Sequence, residues 1–263
     1  MIKLFKQRLI NISKSLLPYN LRIFLRKLNW KILYIQQSMF TNEFNFYCPI
    51  DNKKIKLFIK ARNNFLSPSN GANARQRLVW LYLKNELDIF KKKYKLLHIA
   101  PELCYFEKLS KFENINYFPG DKMVNGYSNQ KGVLDLDITQ IDYKSNFFDI
   151  IICNHVLEHI DDDKTAISEM YRVLNKGGKA IITVPINEKM NKTYENKLVK
   201  TAIERIKHFG QWDHVRWYGL DIKERISKAG FKVELNRYSN KFSKKEILRQ
   251  GLSKSLIITA IKN

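Results

Sequence analysis

The sequence predicts an α/β protein built on a mostly parallel seven-stranded sheet with helices on both faces. Short apolar runs alternate with helical stretches from residue 95 to the end, which is the pattern of parallel strands joined by crossover helices. The 263 residues are 44% hydrophobic and 13% aromatic, enough for a packed core. The seven predicted strands comprise residues 96–100, 115–118, 133–138, 148–154, 179–184, 231–237 and 256–261.

A basic helical extension is predicted for residues 1–40. Apolar residues recur every three or four positions over residues 2–16, Pro18 interrupts the pattern, and a second stripe runs over residues 21–35. The first 40 residues contain eight Lys or Arg and no acidic residue. Such helices either lie on anionic lipid or pack on the protein with their basic side in solvent, and the pattern leaves both open.

A small β segment is predicted to link this extension to the main domain. Residues 41–80 contain two short strand-like runs, a turn at residues 67–71 and a helix from about Ala74. Residues 81–263 are then the α/β domain, with helices expected over residues 162–174 and 221–229.

The net charge of +22 is unevenly distributed along the chain. Residues 1–95 contain 20 basic and 4 acidic side chains, residues 96–185 contain 9 and 13, and residues 186–263 contain 18 and 8. Basic flanks of this size indicate an anionic partner, such as nucleic acid, a membrane surface or a phosphorylated substrate.

Several features favour the cytoplasm. No apolar run reaches the roughly 18–20 residues of a membrane span, and the N-terminal residues lack the apolar run and cleavage site of a secretory signal. The three cysteines have no CxxC spacing, which argues against a disulfide framework and an intact zinc ribbon. We expect the inner face of the cell membrane if the basic helices bind lipid.

Polar residues follow the predicted strands at their carboxyl ends, where open α/β sheets bind ligands. The first strand leads into Ala100-Pro101-Glu102, and Asp121 follows Glu102 by 19 residues at the end of the second strand. A carboxylate at about this separation accepts hydrogen bonds from ribose hydroxyls. Asp137 closes the third strand and is expected to reach an adenine amino group.

The fourth strand and the segments after it carry an ordered set of motifs. Residues 148–160 are FDIIICNHVLEHI, residues 172–178 are RVLNKGG, and residues 181–185 are IITVP. This set resembles the class I S-adenosylmethionine-dependent methyltransferases, close to the type 11 branch, over about residues 96–237. The resemblance implies a Rossmann-like fold, S-adenosylmethionine as the cofactor and methyl transfer as the reaction.

By position, the resemblance also implies a set of cofactor-binding residues. They are His98, Ala100, Pro101, Glu102, Asp121, Asp137, Ile138, Asn154 and His155. The first turn departs from the family, which is usually glycine-rich here so that the backbone can approach the cofactor. A subset of the family resembles this chain in having an Ala-Pro-Glu turn, and the alternative is a pocket that no longer binds the cofactor.

Transfer of a methyl group to a sugar hydroxyl requires a proton acceptor, and histidine is suited to that role. His214 is the first candidate, with His155 and His159 as the others. His98 lies in a predicted buried strand and His208 at a helix end, so we expect neither to accept the proton.

The segment 209–219 is expected to cover the rim of the active site. The acceptor-binding residues are predicted to be Gln211, Asp213, Arg216 and Tyr218. A structural turn held by an Asp213–Arg216 pair is the alternative. No metal site is predicted, because the acidic run 161–163 beside His159 is more typical of a helix N-terminus.

Residues 48–71 carry a second resemblance. Relatives in this subset have a CPxC…CPxCG zinc-ribbon pattern before an Arg-x-Arg helix, which is Arg75-Gln76-Arg77 here. One thiol of the four remains, so we expect a ribbon-like fold without metal that apolar residues and contacts with the main domain stabilise. The four ligand positions hold Cys48, Asp51, Ser67 and Asn70.

Three functions are consistent with the sequence. The first is O-methylation of a nucleotide- or lipid-linked sugar or glycan in bacterial capsule or lipopolysaccharide biosynthesis, since the chain resembles enzymes of those pathways. The second is methylation of RNA or another nucleic acid, although residues 154–157 lack the Asn/Asp-Pro-Pro-aromatic turn of enzymes that methylate exocyclic base nitrogens. The third is a non-catalytic, cofactor-binding scaffold.

Overall fold

The computed structural model describes residues 18–40, 45–61, 64–123 and 131–263. The first predicted apolar stripe, over residues 2–16, lies outside these ranges. The second stripe belongs to α1 (Tyr19–Phe40), which begins directly after the Pro18 that was expected to interrupt the pattern.

Two antiparallel hairpins follow α1 and bring the four ribbon positions together. They pair β1 (Phe46–Cys48) with β2 (Lys53–Ile55) and β3 (Ile59–Ala61) with β4 (Asn64–Leu66). The side-chain amide of Asn70 donates to the Sγ of Cys48 over 3.3 Å, and Ser67 also contacts this buried thiol. Hydrogen bonds therefore join three positions at which the resemblance implied metal ligands.

Helix α2 (Ala74–Glu86) crosses the predicted domain boundary at residue 80. Its N-terminus has a capping box, in which Asn73 and Gln76 each accept a hydrogen bond from the other's backbone N–H. Its residues 78–83 are buried in the core of the main domain. The helix therefore packs with the main domain along most of its length.

The remaining elements include the seven predicted strands in the predicted order. They are β5 (Tyr94–Ile99), α3 (Leu103–Leu109), β6 (Ile115–Asp121), β7 (Leu134–Asp135), β8 (Phe148–Asn154), α4 (Asp163–Val173), β9 (Leu174–Thr183), β10 (Tyr194–Glu195), α5 (Ala202–Phe209), β11 (Arg216–Trp217), α6 (Ile222–Ser227), β12 (Lys232–Asn236), α7 (Lys244–Gln250) and β13 (Ile257–Ile261). The sequence did not predict β10, β11 and α7.

Seven of these strands form the main sheet, in the order β12-β13-β9-β8-β5-β6-β7. All neighbours are parallel except β13, which is antiparallel to both β9 and β12. The chain runs outward from β5 to β7 and then returns to form β8 on the other side of β5. The Rossmann-like α/β fold is thereby confirmed, and its ligand crevice lies where the strand order reverses, between β5 and β8.

Strand β8 is apolar throughout its centre because both of its faces are buried. Ile151 and Cys153 enter one hydrophobic cluster, and Ile150 and Ile152 enter the other. Helices α4 and α6 supply residues to the first cluster, whereas α2 and α3 supply residues to the second. The helices therefore cover both faces, and a parallel strand between them needs apolar residues on each side.

Two strands differ from their predicted extents. β7 has two residues instead of six, because only Leu134 and Asp135 pair with β6. The fifth strand of the sheet begins at Leu174, which is opposite Phe148, and not at residue 179. Residues 175–178, which follow the predicted helix 162–174, form a bulge within the strand, and Gly177 there has a φ of 75° that glycine adopts readily.

The buried Arg77 connects the hairpin segment, α2 and α7. Its guanidinium group lies 4.1 Å from the ring centroid of Phe58. Burial lowers the pKa of Arg77 to about 10. Its hydrogen bonds go to the carbonyl oxygens of Phe65, Ala72, Gln250 and Gly251.

Helix α1 lies against the hairpins and leaves an apolar face in solvent. Gln37 exchanges two hydrogen bonds with the backbone of Leu57, and the indole of Trp30 packs on Gly71, where a Cβ would come within 2.6 Å of it. Within the described ranges, no helix combines the length and apolar character needed to cross a membrane. The exposed apolar residues of α1 include Leu21, Phe24, Leu25, Leu28, Ile32, Ile35 and Met39.

We predict that Arg77→Ala lowers the free energy of unfolding by at least about 3 kcal/mol, since it leaves four carbonyl groups without their donor. Arg75→Ala, in the same helix, should cost less than about 1 kcal/mol because Arg75 donates no comparable set of hydrogen bonds. Urea denaturation of both variants measures the difference. Equal losses for the two variants would contradict the role given to Arg77.

Candidate active site

Two strained turns border the crevice between β5 and β8. Ala100 follows β5 with a φ of 49°, and His155 follows β8 with a φ of 53°. Residues other than glycine rarely adopt this left-handed region, and such strain persists only where surrounding contacts enforce it. Here the backbone N–H of Ala100 donates to the carbonyl of Gly120 over 2.8 Å, and the backbone N–H of His155 donates to the carbonyl of Thr183 over 2.7 Å.

A chain of polar contacts, hereafter the polar chain, crosses the carboxyl ends of four neighbouring strands. It contains Tyr117 (β6), His98 (β5), Glu102, Asn154 (β8) and Thr183 (β9). The two ring nitrogens of His98 lie 2.8 Å from the Tyr117 hydroxyl and 2.9 Å from Glu102 Oε2. The side-chain amide of Asn154 donates to Oε2 of Glu102 over 3.4 Å, and its oxygen accepts from the Thr183 hydroxyl over 2.8 Å.

Glu102 keeps one oxygen free within this chain. Burial alone would raise the pKa of Glu102, but the hydrogen bond and charge of His98, aided by Arg75, hold that pKa below its usual value. Its buried Oε1 has no hydrogen-bond partner among the described residues, and Arg75 approaches it only to 3.8 Å. A charged carboxylate oxygen is therefore available to a cation or donor in the crevice.

The other predicted cofactor residues have different surroundings. Asp121 ends β6 partly buried, and burial raises the pKa of its carboxyl group. Asp137 accepts hydrogen bonds from Lys122 at 2.6 Å and from Thr139, and these lower the pKa of Asp137 to about 2. Ile138 is 3% exposed and belongs to the hydrophobic core. Its side chain is part of the core, so the predicted contact of Ile138 with the cofactor would involve its backbone.

His98 also has a different role from the predicted one. Its side chain is fully buried and both ring nitrogens already have partners. His98 therefore positions Glu102 and offers no free atom to a ligand.

The three candidate histidines converge on a buried glutamate that follows β8. The rings of His159 and His214 lie 4.8 Å apart, and His155 Nδ1 lies 2.9 Å from Glu158 Oε1. Glu158 is fully buried, and burial raises the pKa of Glu158 and lowers the pKa of His214. We call Glu158, His155, His159 and His214 the histidine cluster.

Two predicted acceptor-binding residues contact this cluster. The Gln211 side-chain amide lies 2.9 Å from His214 Nε2, and the Asp213 carboxylate lies 3.5 Å from His159 Nδ1. The backbone amide of Val215 donates to the carbonyl of Glu158 over 2.9 Å. The segment after α5 therefore lies against the loop that follows β8, as expected from the sequence.

The other two predicted acceptor-binding residues are internal. Arg216 is 3% exposed and donates to the carbonyls of Leu157, Ile160 and Asp161. Tyr218 is fully buried and donates to Asp163 over 2.6 Å.

Arg216 and Tyr218 therefore stabilise the cover of the site through internal contacts, and their binding of the acceptor stays a prediction. Arg225 donates two hydrogen bonds to Asp163 and pairs with Glu195, which also accepts from Arg216. The alternative Asp213–Arg216 pair is not the contact that holds the turn.

Sequence comparison gives the family. The profile of the family described as a methyltransferase domain matches residues 113–182, a range that includes Asp121, Asn154, His155 and Glu158. Over residues 113–182 the chain therefore carries a methyltransferase domain, as its motifs predict. No curated protein is significantly similar to it in sequence.

Several solved structures are similar to this methyltransferase. One is a SAM-dependent methyltransferase from Archaeoglobus fulgidus (17% identity, 70% of this chain and 93% of that chain, TM-score 0.46). Another is the YcgJ protein from Bacillus subtilis (14%, 70% and 99%, TM-score 0.47). A third is phosphoethanolamine N-methyltransferase 2 from Haemonchus contortus with S-adenosylmethionine (17%, 70% and 52%, TM-score 0.44). Such similarity does not identify the acceptor, because one fold serves many reactions.

The crevice of the methyltransferase fits its cofactor. The free, buried Oε1 of Glu102 matches the cofactor's ammonium group, and the carboxylate of Asp121 matches its ribose hydroxyls. Ala100 has the left-handed backbone that a glycine would supply in the usual family turn.

Two polar residues of the site were not predicted. Arg75 lies near Glu102, and the Arg-x-Arg pattern of its helix was the only signal for it in the sequence. Glu158 stands within the VLEHI motif. Its burial among histidines depends on His214 as well as on the adjacent His159, and His214 is distant in sequence.

Proposed function

We propose that the methyltransferase O-methylates a hydroxyl of a sugar or glycan intermediate in the biosynthesis of a bacterial cell-surface polysaccharide, such as capsule or lipopolysaccharide. The observation that supports oxygen as the methylated atom is the histidine cluster. A hydroxyl becomes a strong nucleophile only as its proton leaves, and three members of the cluster (His155, Glu158 and His159) follow β8, as does the turn that borders the crevice.

The cofactor in this proposal binds between the turns that follow β5, β6 and β8. Glu102 binds the ammonium group, Asp121 binds the ribose hydroxyls, and Asn154 holds Glu102 in place. Asp137 binds the adenine only if its carboxylate gives up the hydrogen bond from Lys122 and accepts one from the base instead. The cofactor supplies a methyl group on a sulfonium sulfur, so the protein contributes mainly position and exclusion of water.

We propose His155 as the proton acceptor, in preference to the first candidate His214. The His155 side chain is 32% exposed, whereas His214 is 2% exposed and its ring lies between His159 and Gln211. A general base must come within hydrogen-bond reach of the proton that it accepts. His155 also belongs to the turn that borders the cofactor crevice, where a reacting hydroxyl has to lie.

A polar cavity of about 890 Å³ supports a sugar acceptor. Asp161 and Val215 line it, and they are close in sequence to His159 and His214. None of its described lining residues is aromatic, whereas enzymes that methylate extruded bases hold the base between aromatic or apolar side chains. The lining has four acidic and six basic side chains, which suit the hydroxyl groups of a sugar better than a base. The basic lining residues are Lys164, Lys197, Lys200, Arg205, Arg216 and Arg225.

Helix α1 supports an acceptor presented at the inner face of the cell membrane. Its apolar face is exposed over seven residues, and Arg26 and Lys31 are exposed on the same helix. Each basic residue near anionic lipid contributes about 1 kcal/mol to binding, in addition to the burial of apolar side chains.

The acceptor is tested by incubating the enzyme with radiolabelled S-adenosylmethionine and separate panels of nucleotide sugars, lipid-linked glycans and RNA. We expect label in a sugar, and mass spectrometry should locate it on oxygen. His155→Asn should lower the rate by roughly 10²- to 10⁴-fold, because a general base is lost, with unchanged cofactor affinity.

The matched control is His208→Asn, since His208 is partly exposed and contacts Tyr194 outside the cluster. It should retain the full rate. Salt-sensitive labelling of RNA alone would overturn the glycan proposal in favour of the nucleic-acid enzyme that the net charge also suits. Cofactor binding without transfer to any panel would favour the scaffold.

Vesicle flotation tests the membrane proposal. We expect the wild type to float with vesicles that contain phosphatidylglycerol but not with phosphatidylcholine vesicles, and Leu28→Glu to abolish flotation because it places a charge on the apolar face of α1. Leu198→Glu is the control, since Leu198 is 84% exposed on the main domain. Equal flotation of the two variants would contradict the proposal.

A further inference from the structure

Three members of the histidine cluster form a candidate ligand set. One potential ligand atom from each of Glu158, His159 and His214 lies within 4.8 Å of the other two. Two of these residues are buried and one is partly exposed. We propose that Glu158, His159 and His214 bind a divalent transition-metal ion, which no motif in the sequence predicted.

Unpartnered buried atoms are the first support for this site. Among the described residues, no donor makes a hydrogen bond to either carboxylate oxygen of Glu158, although the side chain is fully buried. His155 comes within 2.9 Å of one oxygen, but not along the direction that a hydrogen bond requires. His214 Nδ1 is also buried without a partner. Groups of this kind are rare in folded proteins and call for a ligand.

The contacts around the two histidines are the second support. Metal-bound histidines usually bond through their second ring nitrogen to a carboxylate, carbonyl or other polar group, which fixes the ring. The Nδ1 of His159 lies 3.2 Å from the carbonyl of Asp213 and 3.5 Å from its carboxylate, which leaves Nε2 for the metal. Gln211 contacts Nε2 of His214, which leaves Nδ1.

The donor atoms define the class of ion. Two imidazole nitrogens and one carboxylate suit Zn²⁺, Mn²⁺, Fe²⁺ or Co²⁺, whereas Mg²⁺ and Ca²⁺ prefer oxygen donors throughout. Three protein ligands leave coordination positions open, which is typical of metals that act on a substrate.

The role of the metal rests on the proposed function. A metal-bound hydroxyl loses its proton more readily. The proton then passes to His155, the oxygen forms its bond to the methyl carbon, and the carbon–sulfur bond breaks to leave a neutral thioether. Metal binding itself does not depend on which acceptor the enzyme uses.

Titration of the chelator-treated, full-length enzyme with Co²⁺ tests the site directly. We expect visible absorption bands with saturation at one ion per chain. Glu158→Gln and His214→Asn should each weaken Co²⁺ binding by at least about 100-fold. Control variants His208→Asn and Cys48→Ser should bind as the wild type does, since they change a histidine outside the cluster and the ribbon thiol.

Thermal unfolding of the same proteins guards against misfolded variants. Without metal, Glu158→Gln should unfold at or above the wild-type temperature because it removes a buried charge, and Co²⁺ should stabilise the wild type but not this variant. No Co²⁺ binding by the folded wild type, or binding that survives both cluster substitutions, would overturn the site.

Activity and cofactor binding separate this inference from the proposed function. Co²⁺ binding at the cluster with no sugar methylation would refute only the proposed acceptor. Full methylation by enzyme that binds no metal would refute only the metal site. S-adenosylhomocysteine affinity should be the same with and without Co²⁺ within about threefold.

Discussion

The active site depends on one buried carboxylate that is held charged at the carboxyl ends of the strands. Glu102 reaches His98 and Asn154 at the same time, and these residues in turn contact Tyr117 and Thr183, so four neighbouring strands fix its position. A buried carboxylate is stable in its charged form only with such partners. Among the described residues, the remaining oxygen of Glu102 receives no hydrogen bond, and the nearby guanidinium of Arg75 approaches it only to 3.8 Å.

Two strained turns complete the arrangement. A non-glycine residue in the left-handed region costs of order 1–3 kcal/mol, and both Ala100 and His155 have this conformation at adjacent strand ends. Their backbone N–H groups donate to the carbonyls of Gly120 and Thr183, and these hydrogen bonds to the packed sheet maintain the strained conformation. The loop after β8 then leads directly to the buried Glu158. The cofactor crevice and the histidine cluster therefore share one strand as their support.

The local patterns of the sequence predicted the sheet and the cofactor turns, because apolar runs and strand-end residues are features of neighbouring positions. Contacts between distant segments were not predictable. Arg216 and Tyr218 were assigned to the acceptor, yet they satisfy Asp163 and the carbonyls of the loop after β8, about 55–60 residues earlier in the chain. The bulge at residues 175–178 was not predictable from its two glycines, since glycines suit turns and bulges alike and only the pairing with β8 distinguishes them.

Calorimetric titration with S-adenosylhomocysteine tests the role of Glu102 most directly. We expect about micromolar binding by the wild type and a loss of roughly 10- to 100-fold for Glu102→Gln, since a charge-assisted hydrogen bond contributes about 1.5–3 kcal/mol. Glu107→Gln, on the exposed side of α3, should bind as the wild type does. Equal affinity of Glu102→Gln and the wild type, or no binding by the folded wild type, would contradict the account.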